Sequence, residues 1–402
     1  MKVLYLAPLV PSISGSGGKR AIFNHLEDLA RVTTDVDLMV VDIEDCGEAL
    51  PEAFSAFRGC VYPRALPRGR GLRGLLVAAG QLLFDRRPRA AAVVASTQAR
   101  EAVRKALRET RYDVVVVDHL NAASLIDGTG TDVPIQYIAH NIEADVLRDL
   151  RAREGRSRIR SWRLSMEIAK MARFESALLA RASRVTVIAA TDRDAAALRS
   201  VRDKTVVWPE LPGVRVPQWV APRTRSLLFV GSAAYFPNRD AIEWLVSDFM
   251  PALAGLAPDV VLRIAGTSLQ DMGDQAPSPS VIFEGFVSSE RLDELHRVCD
   301  LFICPVVLGS GIKIKVLEAS GYGLPVAATR ESLAGIDYLD GAALRIGRDG
   351  EAAARAVAAF LADPRELEAA SARSLEMLRQ ARSSRAPLVT MPASTSLPSL
   401  IP

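Results

Sequence analysis

Short apolar runs alternate with amphipathic stretches along nearly the whole chain, and this alternation restricts the fold more than any other feature. VLYLAPL (3–9), VDLMVVDI (36–43), DVVVVDHL (113–120), IQYIAHN (135–141) and RVTVIAA (184–190) are apolar at consecutive positions. Strands look like this when helices cover both faces of a parallel sheet. Helices are predicted between them over 20–31, 97–109 and 156–182. The stretch 206–225, VVWPELPGVRVPQWVAPRTR, holds four prolines and no sustained period, so it reads as a linker. The alternation then restarts with strands at 226–232, 260–266, 281–287, 301–306, 325–329 and 342–346, and helices over 239–250, 289–298, 314–321 and 351–362. The expectation is an α/β chain of two Rossmann-like domains, 1–212 and 213–382. A Ser/Pro/Thr-rich stretch from 383 to 402 reads as a disordered tail. Open parallel sheets bind ligands at the carboxyl ends of their strands, so a cleft between the two domains is the expected place for function.

Composition narrows the partners. A length of 402 residues fits two domains. Fifty Lys and Arg against 47 Asp and Glu leave a net charge of +3, which argues against a nucleic-acid binder. Cys46, Cys60, Cys299 and Cys304 form neither a CxxC pair nor a Cys/His cluster, so no metal site and no disulfide framework are expected. The N-terminal MKVLYLAPLVP ends its short apolar run in prolines and reads as a first strand rather than a signal peptide. No apolar run of about 18 residues is present, and a soluble, cytoplasmic protein is expected.

Two loops carry the chemistry. PSISGSGGKR (11–20) follows the first strand; Gly17 and Gly18 let backbone approach a ligand at the start of a helix, although the loop is neither a P-loop nor a full dinucleotide fingerprint. PVVLGSGIKIKVLEASGYGLP (305–325) is more informative. Backbone from Gly309 through Gly311 to Ile312 would aim N–H groups at a phosphate, and Lys313 would add charge there. The plainer alternative for Lys313 and Lys315 is a solvated helix face. Glu318, between Leu317 and Ala319, is a carboxylate in an apolar helix and so needs partners, such as a sugar or ribose diol.

At these residues the chain resembles the GT-B glycosyltransferases, and among them the retaining group-4-like transferases. KVLEASGYGLPVAAT, FVGSAAYFPNRDAIEWL (229–245), IAGTS (264–268) and FEGFVSSERLDELHRVCDLFICP (283–305) match segments of that family in order and spacing. The resemblance covers roughly 1–375 and is strongest over 226–330. It implies the GT-B fold, two Rossmann-like domains facing each other across a cleft, with the donor bound by the second and the acceptor by the first.

Residue by residue, Glu318 matches the second of two family glutamates, the one that holds the nucleotide ribose. Ser310 stands where the first glutamate contacts donor-sugar hydroxyls; it can hydrogen-bond a sugar but supplies no charge. Phe286 and Val287 match the segment that packs on the nucleobase. The family's phosphate clamp after the FVG strand is missing, since Ser232 follows Gly231, and Lys313 and Arg239 are its candidate replacements. Gly17 and Gly18 match the loop facing the diphosphate. His140 matches a histidine beside the donor sugar, able to donate or accept hydrogen bonds near neutrality. Asn141 and Glu143 follow it on the acceptor side, with His119 as a second cleft candidate. His25 and His296 read as structural. The reaction implied is transfer of a sugar from a nucleotide diphosphate donor, UDP or GDP type, to an acceptor hydroxyl. It would retain configuration, without metal or other cofactor, in glycan, glycolipid or natural-product biosynthesis.

Charge is uneven. Residues 61–110 hold 11 Lys and Arg against 3 Asp and Glu, and residues 148–174 hold 9 against 3. Arg64, Arg68, Arg70 and Arg73 precede the apolar LLVAAGQLLF, and Arg86, Arg87 and Arg89 follow it. Such a segment suits an anionic inner-membrane face or a charged, lipid-linked acceptor, as well as an ordinary arginine-rich surface. The competing functional class is a catalytically idle nucleotide-sugar-binding protein, motivated by Ser310; an epimerase on the same fold lacks identifiable acid and base residues.

Overall fold

The computed structural model describes residues 1–12, 17–44, 47–66, 80, 85–153, 158–211, 224–269, 279–308, 312–336, 339 and 341–389. Ser310, Gly309, Gly311, most of LLVAAGQLLF and the linker from 212 to 223 lie outside them. The chain divides into two compact units, Met1–Trp208 with Ala386–Pro402, and Pro209–Arg385.

The first unit is built on a seven-stranded parallel sheet of order β3-β2-β1-β4-β5-β6-β7. Its strands are β1 (Val3–Ala7), β2 (Val36–Asp42), β3 (Arg58–Pro63), β4 (Val114–Asp118), β5 (Ile135–Ala139), β6 (Arg184–Val187) and β7 (Thr205–Val207). β1, β4 and β5 are buried at every position, which is why they are apolar throughout. The two edge strands do not follow that pattern. β3, RGCVYP, is exposed along most of its length and ends in a proline that an edge tolerates. β7 runs into the stretch read as linker, where Val206 and Val207 pair with β6.

The second unit has a six-stranded parallel sheet, order β10-β9-β8-β11-β12-β13. It comprises β8 (Ser226–Val230), β9 (Val261–Ala265), β10 (Val281–Gly285), β11 (Leu301–Cys304), β12 (Val326–Ala328) and β13 (Leu344–Arg345). The helix expected over 239–250 begins at Phe236, because Pro237 suits a first turn, and breaks after Trp244 into a wider turn ahead of Pro251. A helix at Pro364–Ser384, capped by the Asp363 carboxylate, extends into the stretch read as tail. Beyond it Leu388 and Val389 are buried, and the Ala386 carbonyl accepts from Trp208 Nε1 at 3.0 Å. The tail boundary at 383 is therefore too early, since apolar burial continues to 389.

Each sheet has one place where neighbouring strands send their connections opposite ways. In the first it lies between β1 and β4, in the second between β8 and β11. Loops leaving those strands splay apart, so that is where an open sheet offers a crevice.

Candidate functional site

In the first unit the crevice is organised by Asp118, the last residue of β4, which is fully buried. Its carboxylate accepts from the Tyr5 hydroxyl, from His25 Nδ1 (2.8 Å), from His119 Nδ1 (2.8 Å) and from His140 Nε2 (2.6 Å). Burial opposes the charge, but the histidines overcome it and hold the carboxyl well below its usual range. A buried carboxylate only accepts, so each ring nitrogen facing it carries the proton. The other nitrogen of each neutral ring is then an acceptor. The His119 and His140 rings stack with centroids 3.5 Å apart.

These contacts alter the reading of His140. It is 7% exposed, and burial, with His119 stacked against it, pushes it down to about 4 despite Asp118. It is thus a neutral, oriented ring rather than a group that titrates near neutrality. His119 is the more open of the pair, its side chain 15% exposed. Its backbone sits at φ 66°, in the left-handed region that a side chain disfavours. The Asp118 bond and the stack on His140 hold it there, and strain kept in this way marks functional loops. A Cβ on Gly18 would lie 3.5 Å from His119 Nε2 and 3.0 Å from Leu9 Cδ1, so the glycine lets the first helix, Gly17–Ala30, start against that ring. His25 is wholly buried on Asp118, while His296, in the other unit, is buried with Nδ1 on the Leu292 carbonyl side at 2.8 Å.

Asn141 and Glu143 follow at the start of the helix Glu143–Arg153. The amides of Glu143 and Ala144 donate to the Glu175 carboxylate at 2.9 and 3.4 Å. Burial lifts Glu143 above the usual range although Asn141 bonds its side chain, and it lifts Glu175 to about 7. His25, Asp118 and His140 have ligand atoms close enough for a metal, within 4.8 Å. Yet the 2.6 and 2.8 Å contacts of the two histidines with Asp118 are hydrogen bonds, and the set is satisfied as it stands.

In the second unit three backbones meet beyond β8, β9 and β10. The Gly231 amide donates to the Ala265 carbonyl, Ala233 to Thr267, and Gly266 to Gly285. A Cβ on Gly266 would lie 2.0 Å from the Gly231 carbonyl oxygen, so only glycine fits this crossing. Arg239, expected as a phosphate clamp, is partly buried with Nε donating to the Ala233 carbonyl at 3.1 Å, and so braces this loop. Phe286 is 81% exposed beyond β10, whereas Val287 packs on the core. Ile312 also packs there; Lys313 precedes the helix Ile314–Gly321, and Glu318 is partly buried within it.

Lys315 is not on a solvated face. It is partly buried, donates to Asn238 Oδ1 at 2.5 Å, and lies 4.5 Å from the centre of the Phe229 ring. Asn238 Nδ2 in turn donates to the Ser232 carbonyl at 3.0 Å. Sequence reasoning missed Asp118, Glu175, Asn238 and Lys315. Only Asp118 carried a signal, as an acid closing a run of four valines.

Residues 224–363 match the family model described as "Glycosyl transferases group 1". The second unit carries a group 1 glycosyl transferase domain. The chain has the GT-B fold: sucrose-phosphate synthase from Thermosynechococcus elongatus superposes with a TM-score of 0.67 at 16% identity, covering 95% of both chains. Anabaena HepE in complex with UDP-glucose does so with a TM-score of 0.60 at 15% identity, again over 95% of both. Among curated proteins, a GDP-mannose-dependent alpha-(1-6)-phosphatidylinositol monomannoside mannosyltransferase from Mycolicibacterium smegmatis is 34% identical over 134 residues. That match spans 30% of this chain and 35% of that protein. An uncharacterized 44.6 kDa protein in the cps region of Klebsiella pneumoniae is 27% identical over 131 residues, 31% of this chain and 34% of that protein. The matches thus span about a third of those relatives' length. Within the group 1 domain fall Gly231, Asn238, Lys315 and Glu318, all on the elements that flank the β8–β11 crevice.

Proposed function

We propose that the chain is a glycosyltransferase that moves a sugar from a nucleoside diphosphate donor, UDP or GDP type, to a hydroxyl of a glycan, lipid-linked or small-molecule acceptor. The observation that carries this reading is the β8–β11 crevice of the group 1 domain, where a glycine-only backbone crossing, a buried-stem lysine and Glu318 converge. In this reading Glu318 accepts from the ribose hydroxyls, Phe286 and Val287 receive the base, and Lys313 and Ile312 lie toward the phosphates. Ser310 takes the place of a sugar-binding glutamate. Gly17 and Gly18 keep the backbone at the start of the first helix open to a ligand. His119, with His140 behind it and Asn141 and Glu143 beside it, presents hydrogen-bonding groups to the acceptor.

The acceptor oxygen bonds to the anomeric carbon as the carbon–phosphate oxygen bond breaks, and the acceptor proton leaves on the departing phosphate. Retention and independence of metal belong to this proposal. The relative's GDP-mannose dependence and the UDP-glucose in HepE support a nucleotide-sugar donor. A membrane-facing acceptor is supported by exposed Leu150 and Trp162, set among Arg148, Arg151 and Arg163 on the helices Glu143–Arg153 and Arg158–Arg181. Arg64 and Arg87 of the more N-terminal basic stretch are engaged elsewhere, with backbone carbonyls and Asp85. Among the described residues no helix is long and apolar enough to cross a membrane.

The test is Glu318→Ala. UDP or GDP affinity should fall about tenfold or more, by calorimetry, with the unfolding midpoint unchanged. Unchanged affinity removes Glu318 from the site. Donor turnover separates the second reading, motivated by Ser310: binding of a nucleotide sugar with neither transfer nor slow hydrolysis identifies an idle binder.

A further inference from the structure

Lys315 has no structural account of its charge. Among the described residues it makes no ion pair; its hydrogen bond goes to the neutral amide of Asn238, and its other neighbour is an aromatic ring. A partly buried ammonium that makes no ion pair is costly to maintain and is best explained by an anion that arrives later. Its location agrees. Asn238 follows β8 and Lys315 follows β11, the two strands whose connections diverge. A Cβ on Gly231 would meet both Lys315 Nζ and Asn238 at 2.8 Å, so the glycine lets the ammonium lie directly against backbone. We propose that Lys315 is the cation that binds the donor diphosphate, with Asn238 orienting it and Gly231 giving the phosphate access, in place of the clamp that Ser232 cannot supply. This rests on the glycosyltransferase reading and adds to it a binding residue and a pH dependence.

The groups around the ammonium set that dependence. Burial lowers its pKa, Lys313 lowers it further, and Cys304 and Glu318 act in the opposite sense; the result is about 8. Asn238, facing it from the other helix, carries no charge. A lysine so lowered is charged at pH 7 and loses its charge as pH rises through 8. Phosphate, whose last ionisation lies near pH 6, stays fully charged over that range. Anion binding must raise the lysine pKa in return, so complex formation above pH 8 takes up a proton.

The full chain, as wild type, Lys315→Met and Lys315→Arg, is titrated calorimetrically with UDP and GDP, in buffers of different ionisation enthalpy, with uridine and guanosine as diphosphate-free controls. Lys315→Met should weaken diphosphate binding at pH 7 about tenfold or more and leave nucleoside binding unchanged. Wild-type affinity should fall about fivefold from pH 7 to about 8.7, with proton uptake on binding at the upper end. Lys315→Arg should stay flat with no uptake. Diphosphate binding by Lys315→Met within twofold of wild type overturns the proposal. So does an equal loss for nucleoside and diphosphate, which would make Lys315 a latch for the Asn238 loop. Failure of the wild type to bind either diphosphate removes the glycosyltransferase reading itself, before any variant is compared.

Discussion

The two crevices solve one geometric problem with opposite chemistry. In each, a glycine lets backbone run against a nitrogen base: Gly18 against His119 in the first unit, Gly231 against Lys315 in the second. In the first unit the base is satisfied from behind. Asp118 accepts hydrogen bonds from three histidines and a tyrosine, leaving the rings fixed in orientation. In the second unit the base is left charged and meets a neutral amide. A fixed, hydrogen-bonding wall suits an uncharged hydroxyl, and an ammonium without an ion pair suits a diphosphate. In the proposed reading, the way each base is paired matches a division of labour between acceptor and donor.

The largest effect is expected where the first crevice is broken at its centre. Asp118→Ala removes the common acceptor of Tyr5, His25, His119 and His140. The first unit should lose about 3–5 kcal/mol of stability, the range for removing one partner of a buried charged network. Urea denaturation followed by tryptophan fluorescence and by activity-independent proteolysis should show that loss in Met1–Trp208, with the second unit's transition in place. A loss below about 1 kcal/mol would mean that the histidines pack well without the carboxylate, and the contrast between the crevices would dissolve.

Gly266→Ala tests the second crevice and should come next in size. Its methyl group would sit 2.0 Å from the Gly231 carbonyl oxygen, which is backbone and cannot turn aside. Overpacking of this kind costs on the order of 1–3 kcal/mol. It should also shift the loop that carries Gly231, so nucleotide binding is expected to fall further than stability does. Gly18 offers the contrast: its nearest neighbour is the end of the Leu9 side chain at 3.0 Å, which can move.

What the sequence revealed follows from what each feature depends on. Central strands such as VVVVD at 114–118 are buried on both faces and so write their identity in consecutive apolar residues. Edge strands do not, and β3 with its arginine, glycine and proline was unreadable for that reason. The glycine loop at 17–18 lies at the first crevice, because bare backbone is a local property, whereas Gly266 of the second crevice was not singled out and Gly309–Gly311 lie outside the described residues. The pairing of charges was not legible, since it depends on residues far apart in the chain. His25 and Asp118 are 93 positions apart, and Asn238 and Lys315 are 77. Lys313 and Lys315 look alike on the page, yet it is the fold that carries the second beneath Gly231.

The smallest effect distinguishes base from phosphate within the second crevice. Phe286 is 81% exposed and follows Gly285, which has φ 71°, so the ring stands out beyond β10 with little packing of its own. Phe286→Ala should therefore change stability by no more than about 0.5 kcal/mol, as surface substitutions do. If the ring receives the base, its loss should weaken uridine or guanosine binding, and UDP or GDP binding, by the same factor of about five to ten, the scale of one base–aromatic stack. Lys315→Met should do the reverse, weakening only the ligands that carry a diphosphate. The two variants together form a cross: one acts on every ligand with a base, the other on every ligand with a diphosphate. An effect of Phe286→Ala confined to the diphosphates would place the ring beside the phosphates instead, and the base would have to be sought at Val287 and the β9 loop.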